Sequence, residues 1–314
     1  MSVPSTSAAP GVEVPAERTV YPPAVESTRI VWLYLVPIVV LHVLALFALV
    51  PWLFSWTGFW TMVVGVFFFG QGINMCYHRL LAHRSFKVPR WLERQMVVVA
   101  LCCLEDTPIK WVSTHRFHHV HSDERDDPHS PLVAFLWGHI GWLMWHNRDT
   151  RSIDTYHRYS RDMLDDPFYL KLERTKLGPA IYAAHAFLFY LVGAAIGFAL
   201  SGTLLGSVQM GLSLLVWGVI VRTVAVWHIT WSVNSLTHLF GYRSYQTKDN
   251  SRNNWLVALL AVGEGWHNNH HHDPASATVQ HRWWEIDPTY YGIKLLEKLG
   301  LATEVIEPRH RRKS

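Results

Sequence analysis

The stretch IVWLYLVPIVVLHVLALFALVPWLFSWTGFWTMVVGVFFFGQGINMCY, from Ile30 to Tyr77, contains no Asp, Glu, Lys or Arg. A helix needs roughly 20 apolar residues to cross a bilayer, and this run is a little over twice that length. It therefore predicts a hairpin of two transmembrane helices. The turn is expected near Pro51 to Thr57, because Trp52, Trp56 and Trp60 match the aromatic belt of a membrane interface.

A second uncharged run, Ala180 to Val221, repeats this pattern, with a turn expected near Ser201 to Ser207. Together the two runs predict an all-α integral membrane protein with four transmembrane helices in two hairpins. Both turns are uncharged, so the positive-inside tendency places the charged regions in the cytosol. Two apolar pieces, Met96 to Leu104 and Leu132 to Trp145, are too short or interrupted to span and are predicted to be interfacial helices. With the charged segment Arg148 to Lys176 they would form a helical cytosolic cap.

The composition favours a membrane protein over a nucleic-acid-binding one. Half of the residues are apolar, 16 are Trp, and the net charge of +4 comes from basic residues interleaved with acidic ones. The three cysteines are too few for a framework of bridges and lack a C-x-x-C spacing, so they are read as structural thiols in a reducing compartment. The sequence predicts a disordered cytosolic tail over residues 1–27, a membrane domain over 28–300, and a basic tail over 301–314 attracted to anionic lipid.

Histidines recur at a spacing that metal binding would favour. In HRFHHVHSDERDDPH, His115 to His129, a helix would place the H-x-x-H-H histidines on one face. The same spacing returns in GEGWHNNHHHDP, and HRLLAHRSF offers a further pair. These three clusters contain His78, His83, His115, His118, His119, His267, His270 and His271. In TWSVNSLTHLFG, Asn234 and His238 share a helix face, and a polar pair at that membrane depth is a functional candidate.

This many imidazoles predicts two metal ions. Neutral imidazoles suit Fe, Zn, Cu or Ni, and a pair of irons that activates dioxygen is the use that best justifies a nitrogen-rich site. Zinc hydrolysis is disfavoured because the sequence lacks H-E-x-x-H, and structural zinc is the simpler alternative. The carboxylates Asp123, Asp127 and Glu264 are placed to accept the second ring proton of ligand histidines, although surface acids would need no such role.

From about Ile30 to Pro288 the sequence resembles membrane fatty acyl desaturases of the stearoyl-CoA desaturase type, which carry one H-x-x-x-x-H box and two H-x-x-H-H boxes. The resemblance is carried by HRLLAHRSF, KWVSTHRFHH, the DPH that ends at His129, GHIGW, TWSVNSLTHLFGYR and GEGWHNNHHH. It implies that two irons are bound by the box histidines and by the His of N-S-x-x-H, with the Asn acting through water. At the matching positions of this sequence, the implied metal-site residues are His78, His83, His115, His118, His119, His238, His267, His270, His271 and Asn234.

The resemblance also implies the reaction. A cis double bond would be introduced into a saturated acyl chain, most simply between carbons 9 and 10, with O2 and two electrons from a separate donor. That donor would be a ferredoxin or a cytochrome of the b type, fed by NAD(P)H. The acyl path is expected to pass Trp111, Thr230 and Trp231. A CoA phosphate or a phospholipid headgroup would meet a basic rim of Lys110, Arg116, Arg148 and Arg151.

Two other functions use the same residues. A related membrane hydroxylase acting on alkanes, sterols or carotenoids would bind the same metals and insert oxygen. A membrane metal-binding protein without enzymatic activity would line a path across the bilayer with ligands, whereas the clusters of this chain collect on one side. The predicted location is a bacterial inner membrane or the endoplasmic reticulum, with a cytosolic active site.

Overall fold

The computed structural model describes residues 21–312, and this part of the chain is mostly helical. Four helices are long and apolar enough to cross a membrane, namely Trp32–Leu49, Trp56–Ala82, Leu177–Ser201 and Leu204–Leu239. Large apolar side chains such as Leu33 point outwards from them, as expected for surfaces that face lipid. The described residues therefore contain four candidate membrane-spanning helices, as the sequence predicts, and their arrangement as two hairpins in a bilayer stays a prediction.

The described residues form fifteen α-helices of very different length. In chain order they are α1 (Trp32–Ala45), α2 (Trp56–Gln71), α3 (Arg90–Leu101), α4 (Pro108–His121), α5 (Trp142–Met144), α6 (Arg148–Arg151), α7 (Ile153–Tyr159), α8 (Arg161–Leu164), α9 (Pro167–Arg174), α10 (Leu177–Ser201), α11 (Leu204–Ser213), α12 (Arg222–Leu239), α13 (Trp255–Leu260), α14 (His267–His272) and α15 (Pro288–Lys298). Segments with π-helical turns cover Gly72–Ala82, Trp137–Gly141 and Leu214–Val221. Short 3-10 turns cover Leu46–Leu49, Pro51–Leu53 and Arg309–Arg311. Two strands, β1 (Val25–Ile30) and β2 (Trp145–Asn147), pair antiparallel.

The turn between α10 and α11 consists of two residues. Gly202 ends α10 with a φ of 65°, a left-handed conformation that glycine adopts without strain. Thr203 then caps α11 by accepting a hydrogen bond from the backbone N–H of Gly206 at 3.1 Å. The two helices pack tightly, because a Cβ on Gly197 would lie only 2.2 Å from the Gly206 carbonyl oxygen. The turn thus lies inside the predicted segment Ser201 to Ser207.

The wide helical segment Gly72–Ala82 continues α2 and packs directly against α3. A Cβ on Gly72 would lie 2.5 Å from the backbone nitrogen of Ala100, so the two backbones touch. Predicted as an interfacial helix, Met96 to Leu104 falls largely within α3, whose Val97 and Ala100 are fully buried. α3 therefore serves as a packing partner that fixes the segment carrying His78.

Two sequence predictions about the ends of the domain need correction. Residues 1–20 of the predicted tail 1–27 lie outside the described residues. In the rest of this tail, Val25 and Glu26 belong to β1 and pair with Asn147 and His146. The predicted tail 301–314 is anchored over its described part. Thr303 exchanges backbone hydrogen bonds with Lys87, and the Arg312 guanidinium donates to Asp273 at 3.0 Å.

The prediction that Leu132 to Trp145 forms one interfacial helix is also wrong in part. Within this segment only Phe135 to Met144 is helical, and Trp145 begins strand β2. The strand forms because the backbone of this segment pairs with β1. The predicted cap Arg148 to Lys176 consists of the four short helices α6 to α9.

A fully buried arginine lies in the fourth candidate span. Arg222 donates to the backbone carbonyls of Gly218 (3.2 Å) and Cys102 (2.8 Å), and its terminal nitrogen lies 3.2 Å from Nε2 of His185. The guanidinium also lies over the ring of Phe69, at 4.2 Å from the centroid. Among the described residues no carboxylate forms a salt bridge with it, so carbonyls, an imidazole and an aromatic face stabilise this charge.

Candidate metal centre

The structure brings all nine predicted histidines together at one end of the candidate spans. They come from the Gly72–Ala82 segment and the residue that follows it, from α4, from the end of α12 and from α14. Two groups form, and within each group the nearest ring nitrogens lie within 4.8 Å of one another. The first group contains His78, His83, His115, His119 and His270, and the second contains His118, His238, His267 and His271.

Helix α4 supplies both groups. His115 and His119, four residues apart, face the first group, whereas His118 faces the second. The sequence analysis placed all three on one face, yet consecutive residues are turned by about 100°, which leaves His118 on the flank of that face. The two groups are therefore neighbours along α4.

Within the first group the Nε2 atoms approach one another directly. The Nε2 of His115 lies 2.8 Å from that of His83 and 3.1 Å from that of His119. The Nε2 of His270 lies 2.9 Å from that of His119 and 3.1 Å from that of His78. Five ring nitrogens thus converge on one small volume, which is the arrangement that a metal ion would share.

The second group repeats this geometry around His267. Its Nε2 lies 3.1 Å from that of His238 and 3.0 Å from that of His271. The rings of His118 and His238 lie 5.4 Å apart between centroids. Asn234, predicted to act through water, lies one turn before His238 on α12 and is half-buried.

Carboxylates hold the opposite ring nitrogen of four of these histidines. The Nδ1 distances are 3.0 Å from His118 to Asp127, 2.7 Å from His238 to Asp123, 2.7 Å from His271 to Asp249 and 2.9 Å from His78 to Glu264. A proton on Nδ1 leaves Nε2 with its lone pair directed into the group. The structure thus places the three predicted carboxylates beside ligand candidates and adds Asp249, which the sequence analysis missed.

The four carboxylates remain ionised. Burial alone would raise the pKa of Glu264, but the Arg79 guanidinium and His78 lower it to about 2. Burial would likewise raise the pKa of Asp127, but His118, His129 and the backbone N–H of Asp123 together hold it well below its usual range. Arg79 donates to both Glu264 and Asp287, at 2.7 and 2.8 Å, so this buried network also fixes the Glu264 carboxylate in place.

Six of the nine histidines are held neutral. Burial, followed by repulsion from neighbouring imidazoles, lowers the pKa of His83, His115, His119, His267 and His270 well below the ordinary value. Burial likewise lowers the pKa of His271 to about 4. Neutral imidazoles with converging lone pairs fit two metal ions of intermediate softness.

Of the predicted substrate residues, Trp111 is the one that packs on a histidine of the centre among the described contacts. Trp111 stacks on His115 with ring centroids 5.0 Å apart, and Trp231 is buried about two turns before His238 on α12. Arg116 is fully engaged by the protein. It donates to the backbone carbonyls of Ala82, Leu81 and Tyr159 and to Asp162. Its guanidinium is thus occupied by protein groups, and its role in binding a substrate phosphate stays a prediction.

Thr230 leads to another residue that the sequence analysis missed. Its hydroxyl donates to the carboxyl group of Glu105 at 2.9 Å. Burial raises the pKa of Glu105 to about 8, more than its contacts with Thr230 and Trp111 lower it. The flanking Leu104 and Asp106 have φ values of 54° and 73°, a strained backbone that marks this turn as a functional candidate.

Comparisons with known proteins agree with this geometry. The sequence model of the family described as fatty acid desaturase matches residues 52–295. The chain is 40% identical over 282 residues to an sn-2 palmitoyl-lipid 9-desaturase of Nostoc sp. (strain 36), which covers 89% of this chain and 92% of that protein. It is 43% identical over 271 residues to an sn-1 stearoyl-lipid 9-desaturase of Anabaena variabilis, covering 84% and 90%. An acyl-CoA 5-desaturase of Anemone leveillei is 42% identical over 287 residues, covering 87% and 79%.

Proposed function

The chain belongs to the fatty acid desaturase family and is an acyl desaturase, and from this premise we propose that it forms a cis double bond between carbons 9 and 10 of a saturated acyl chain on a membrane lipid. The observation that carries this proposal is that two relatives, matched over 90% or more of their length, are named lipid 9-desaturases. The acyl-CoA 5-desaturase of similar identity means that the bond position requires a direct test.

The basic rim supports a lipid substrate over acyl-CoA. Lys110 forms a salt bridge with Glu173 at 2.9 Å, and Arg116 is engaged as described above. The Arg151 guanidinium lies over the ring of Tyr34, at 4.5 Å from the centroid. Arg148 Nε lies 3.7 Å from a carboxylate oxygen of Glu26. Because all four basic candidates contact groups within the protein, the phosphates of CoA would find few free cations.

We assign two iron ions to the two histidine groups. When bound there, the irons would supply the activation of O2. The protein itself positions the reactants and tunes the ligands. Asp123, Asp127, Asp249 and Glu264 fix the ring orientation of four histidines through Nδ1. Burial keeps six of the imidazoles neutral, and Trp111 packs against the first group where the acyl path is proposed to pass.

Electron balance requires a separate donor. Removal of two hydrogens from adjacent methylenes supplies two electrons and two protons. Reduction of O2 to two waters consumes four of each, so two electrons and two protons must come from outside the substrate. The donor proposed is a ferredoxin or a b-type cytochrome.

The site is proposed to lie on the cytosolic side of the membrane. His78 and His238 come from the C-terminal ends of the second and fourth candidate spans, so the centre lies at one end of these helices. The charged cap helices α6 to α9 are connected at the same end, and basic regions favour the cytosol.

The test is lipid profiling of a host that lacks its own 9-desaturase. Expression of the chain should yield acyl chains with a cis bond at carbon 9, and lipase digestion should assign them to one glycerol position. His118→Ala serves as the matched control, expressed at the same level and expected to yield no product. Product in the acyl-CoA pool before it appears in lipid, or a bond at another carbon, would overturn the corresponding part of the proposal.

A further inference from the structure

Exposed basic and aromatic side chains meet on one surface beside α14. Arg282 and Trp283 come from the loop before α15, and Trp283 is 84% exposed. The C-terminal segment adds Arg311 and His310, whose ring lies 5.1 Å from that of His281. We call Arg282, Trp283, His310 and Arg311 the basic surface. Trp and Arg are the residues most enriched at the energetic centres of interfaces.

The basic surface carries a positive charge that the protein does not neutralise. Among the described residues, neither Arg282 nor Arg311 forms a salt bridge. The nearby carboxylates point inwards. Glu285 is fully buried, and the buried Asp273 is already paired with Arg312 at 3.0 Å. A surface of this kind fits an acidic protein partner, because opposite charge steers association.

Aromatic rings connect the basic surface to the second histidine group. His281, which contacts His310, has its Nδ1 2.8 Å from the hydroxyl of Tyr245. The Tyr245 ring stacks face to face on His272, with centroids 3.8 Å apart and planes within 4°. His272 directly follows His271, a member of the second group. We call His281, Tyr245 and His272 the aromatic route.

We propose that the basic surface docks an acidic one-electron carrier protein and that the aromatic route conducts its electrons to the second histidine group. This inference rests on the proposed function, which consumes two external electrons for each double bond. Each electron leaves one reduced carrier, which becomes oxidised and dissociates. Two docking events would therefore supply one turnover.

The docking step is tested with a reduced plant-type [2Fe–2S] ferredoxin and detergent-solubilised protein free of anionic lipid. The double variant Arg282→Glu and Arg311→Glu should weaken binding at low salt by about tenfold or more. These two residues are chosen because neither pairs with the buried Asp273. The matched control is Lys171→Glu with Arg174→Glu on α9, which carries the same charge change and should bind within about twofold of wild type.

Two results would overturn the docking step. One is equal ferredoxin affinity of the double variant and wild type. The other is a double variant that binds ferredoxin normally but loses activity only in bilayers with anionic lipid, because the basic surface would then contact the membrane.

The aromatic route is tested by the rate of metal reduction at saturating ferredoxin. Tyr245→Leu should slow this rate by about tenfold while leaving ferredoxin affinity unchanged, and Tyr245→Phe, which retains the ring, should restore it. Reduction by dithionite should be the same in all three proteins, which controls for damage to the centre. A wild-type rate in Tyr245→Leu would exclude the route.

The proposed function and this inference fail in different ways. If wild-type protein binds no metal and makes no unsaturated product with any reductant, the proposed function fails. If it makes product with ferredoxin but the variants of the basic surface and aromatic route behave as wild type, only the docking surface and route are wrong.

Discussion

At the scale of single residues, Asp249 has the clearest expected effect. Its carboxylate accepts hydrogen bonds from His271, Ser251 and Thr247 at 2.6 to 2.8 Å, and the pKa of Asp249 lies well below its usual range because these contacts outweigh burial. Loss of such a partner typically weakens metal binding by about 10- to 100-fold. Asp249→Asn should therefore lose metal to a chelator at correspondingly lower concentrations, measured by metal analysis after dialysis.

The control for Asp249→Asn is Asp154→Asn, an exposed carboxylate in the first turn of α7. It should retain metal as the wild type does. Equal metal retention in both variants would show that His271 does not depend on Asp249.

Glu105 gives a pH-dependent prediction. The pKa of Glu105 in the folded protein is about 8, raised by burial, against about 4.3 in an unfolded chain. The folded state thus holds this proton more tightly, so wild-type stability falls as pH rises from about 4.5 to 8. Glutamine cannot titrate and mimics the protonated acid. The melting temperature of Glu105→Gln, relative to wild type, should rise between pH 5 and pH 8 and level off above it.

A constant difference between the two proteins across this pH range would contradict the prediction. Thr230→Val provides the matched variant, because it removes the hydroxyl that donates to Glu105 at 2.9 Å without removing the carboxyl group. It should keep the wild-type pH dependence in direction.

Site residues could be predicted where they belong to a short repeated motif of the sequence. They were missed where they belong to no such motif. His115, His118 and His119 follow a pattern that is visible in five letters. Asp249 contacts His271 from a loop 22 positions earlier, and Glu105 reaches Thr230 across 125 positions. Such contacts depend on the tertiary fold, so no local pattern marks them.

At the scale of elements, the contact between Gly72 and α3 determines how the first histidine box is held. A methyl group at Gly72 would lie 2.5 Å from the backbone of Ala100, so α3 would have to move. Overpacking of this kind costs about 1 to 3 kcal/mol. Gly72→Ala should lower the melting temperature in detergent and reduce metal content, because the same segment carries His78.

Gly70→Ala is the control on the same helix, since nothing lies within 4 Å of its added methyl group. Its stability should stay within about 0.5 kcal/mol of wild type. If both variants melt alike, the backbone contact does not limit the packing of α3.

Elements differ in how visible they are in sequence. The candidate spans follow from long uncharged runs, whereas the π-helical turns in Leu214–Val221 leave no trace, because a uniformly apolar helix has no phase to shift. β2 is three residues long, too short for a period-two pattern, and it forms only because β1 supplies its hydrogen bonds. The predictions for Leu132 to Trp145 and for the tail 1–27 were wrong for the same reason, because both segments contain residues of this strand pair.

At the scale of the whole molecule, the proposed orientation predicts labelling by impermeant thiol reagents. Thr203→Cys, in the exposed turn after α10, should react from outside intact cells, and His157→Cys, exposed on α7, should react only after permeabilisation. A charged residue at the bilayer centre costs about 2.5 to 3.5 kcal/mol, so the uncharged spans have few alternatives. Cys76, Cys102 and Cys103 are buried and should stay silent.

The reverse labelling pattern would place the metal centre on the outer face. A cytosolic electron donor could then not reach it, and the proposed orientation would have to be withdrawn. Labelling of both positions from outside would instead indicate leaky cells, which an unreactive cytosolic marker protein excludes.

The buried charge of Arg222 has a consequence for the biogenesis of the protein. An arginine that enters the bilayer alone is costly, and its insertion is easier when partners are already waiting. Phe69, Cys102 and His185 all precede it in the chain, so they leave the ribosome first. The fourth candidate span can thus be accepted as it emerges, without waiting for the histidine-rich segment after Leu239 to be translated.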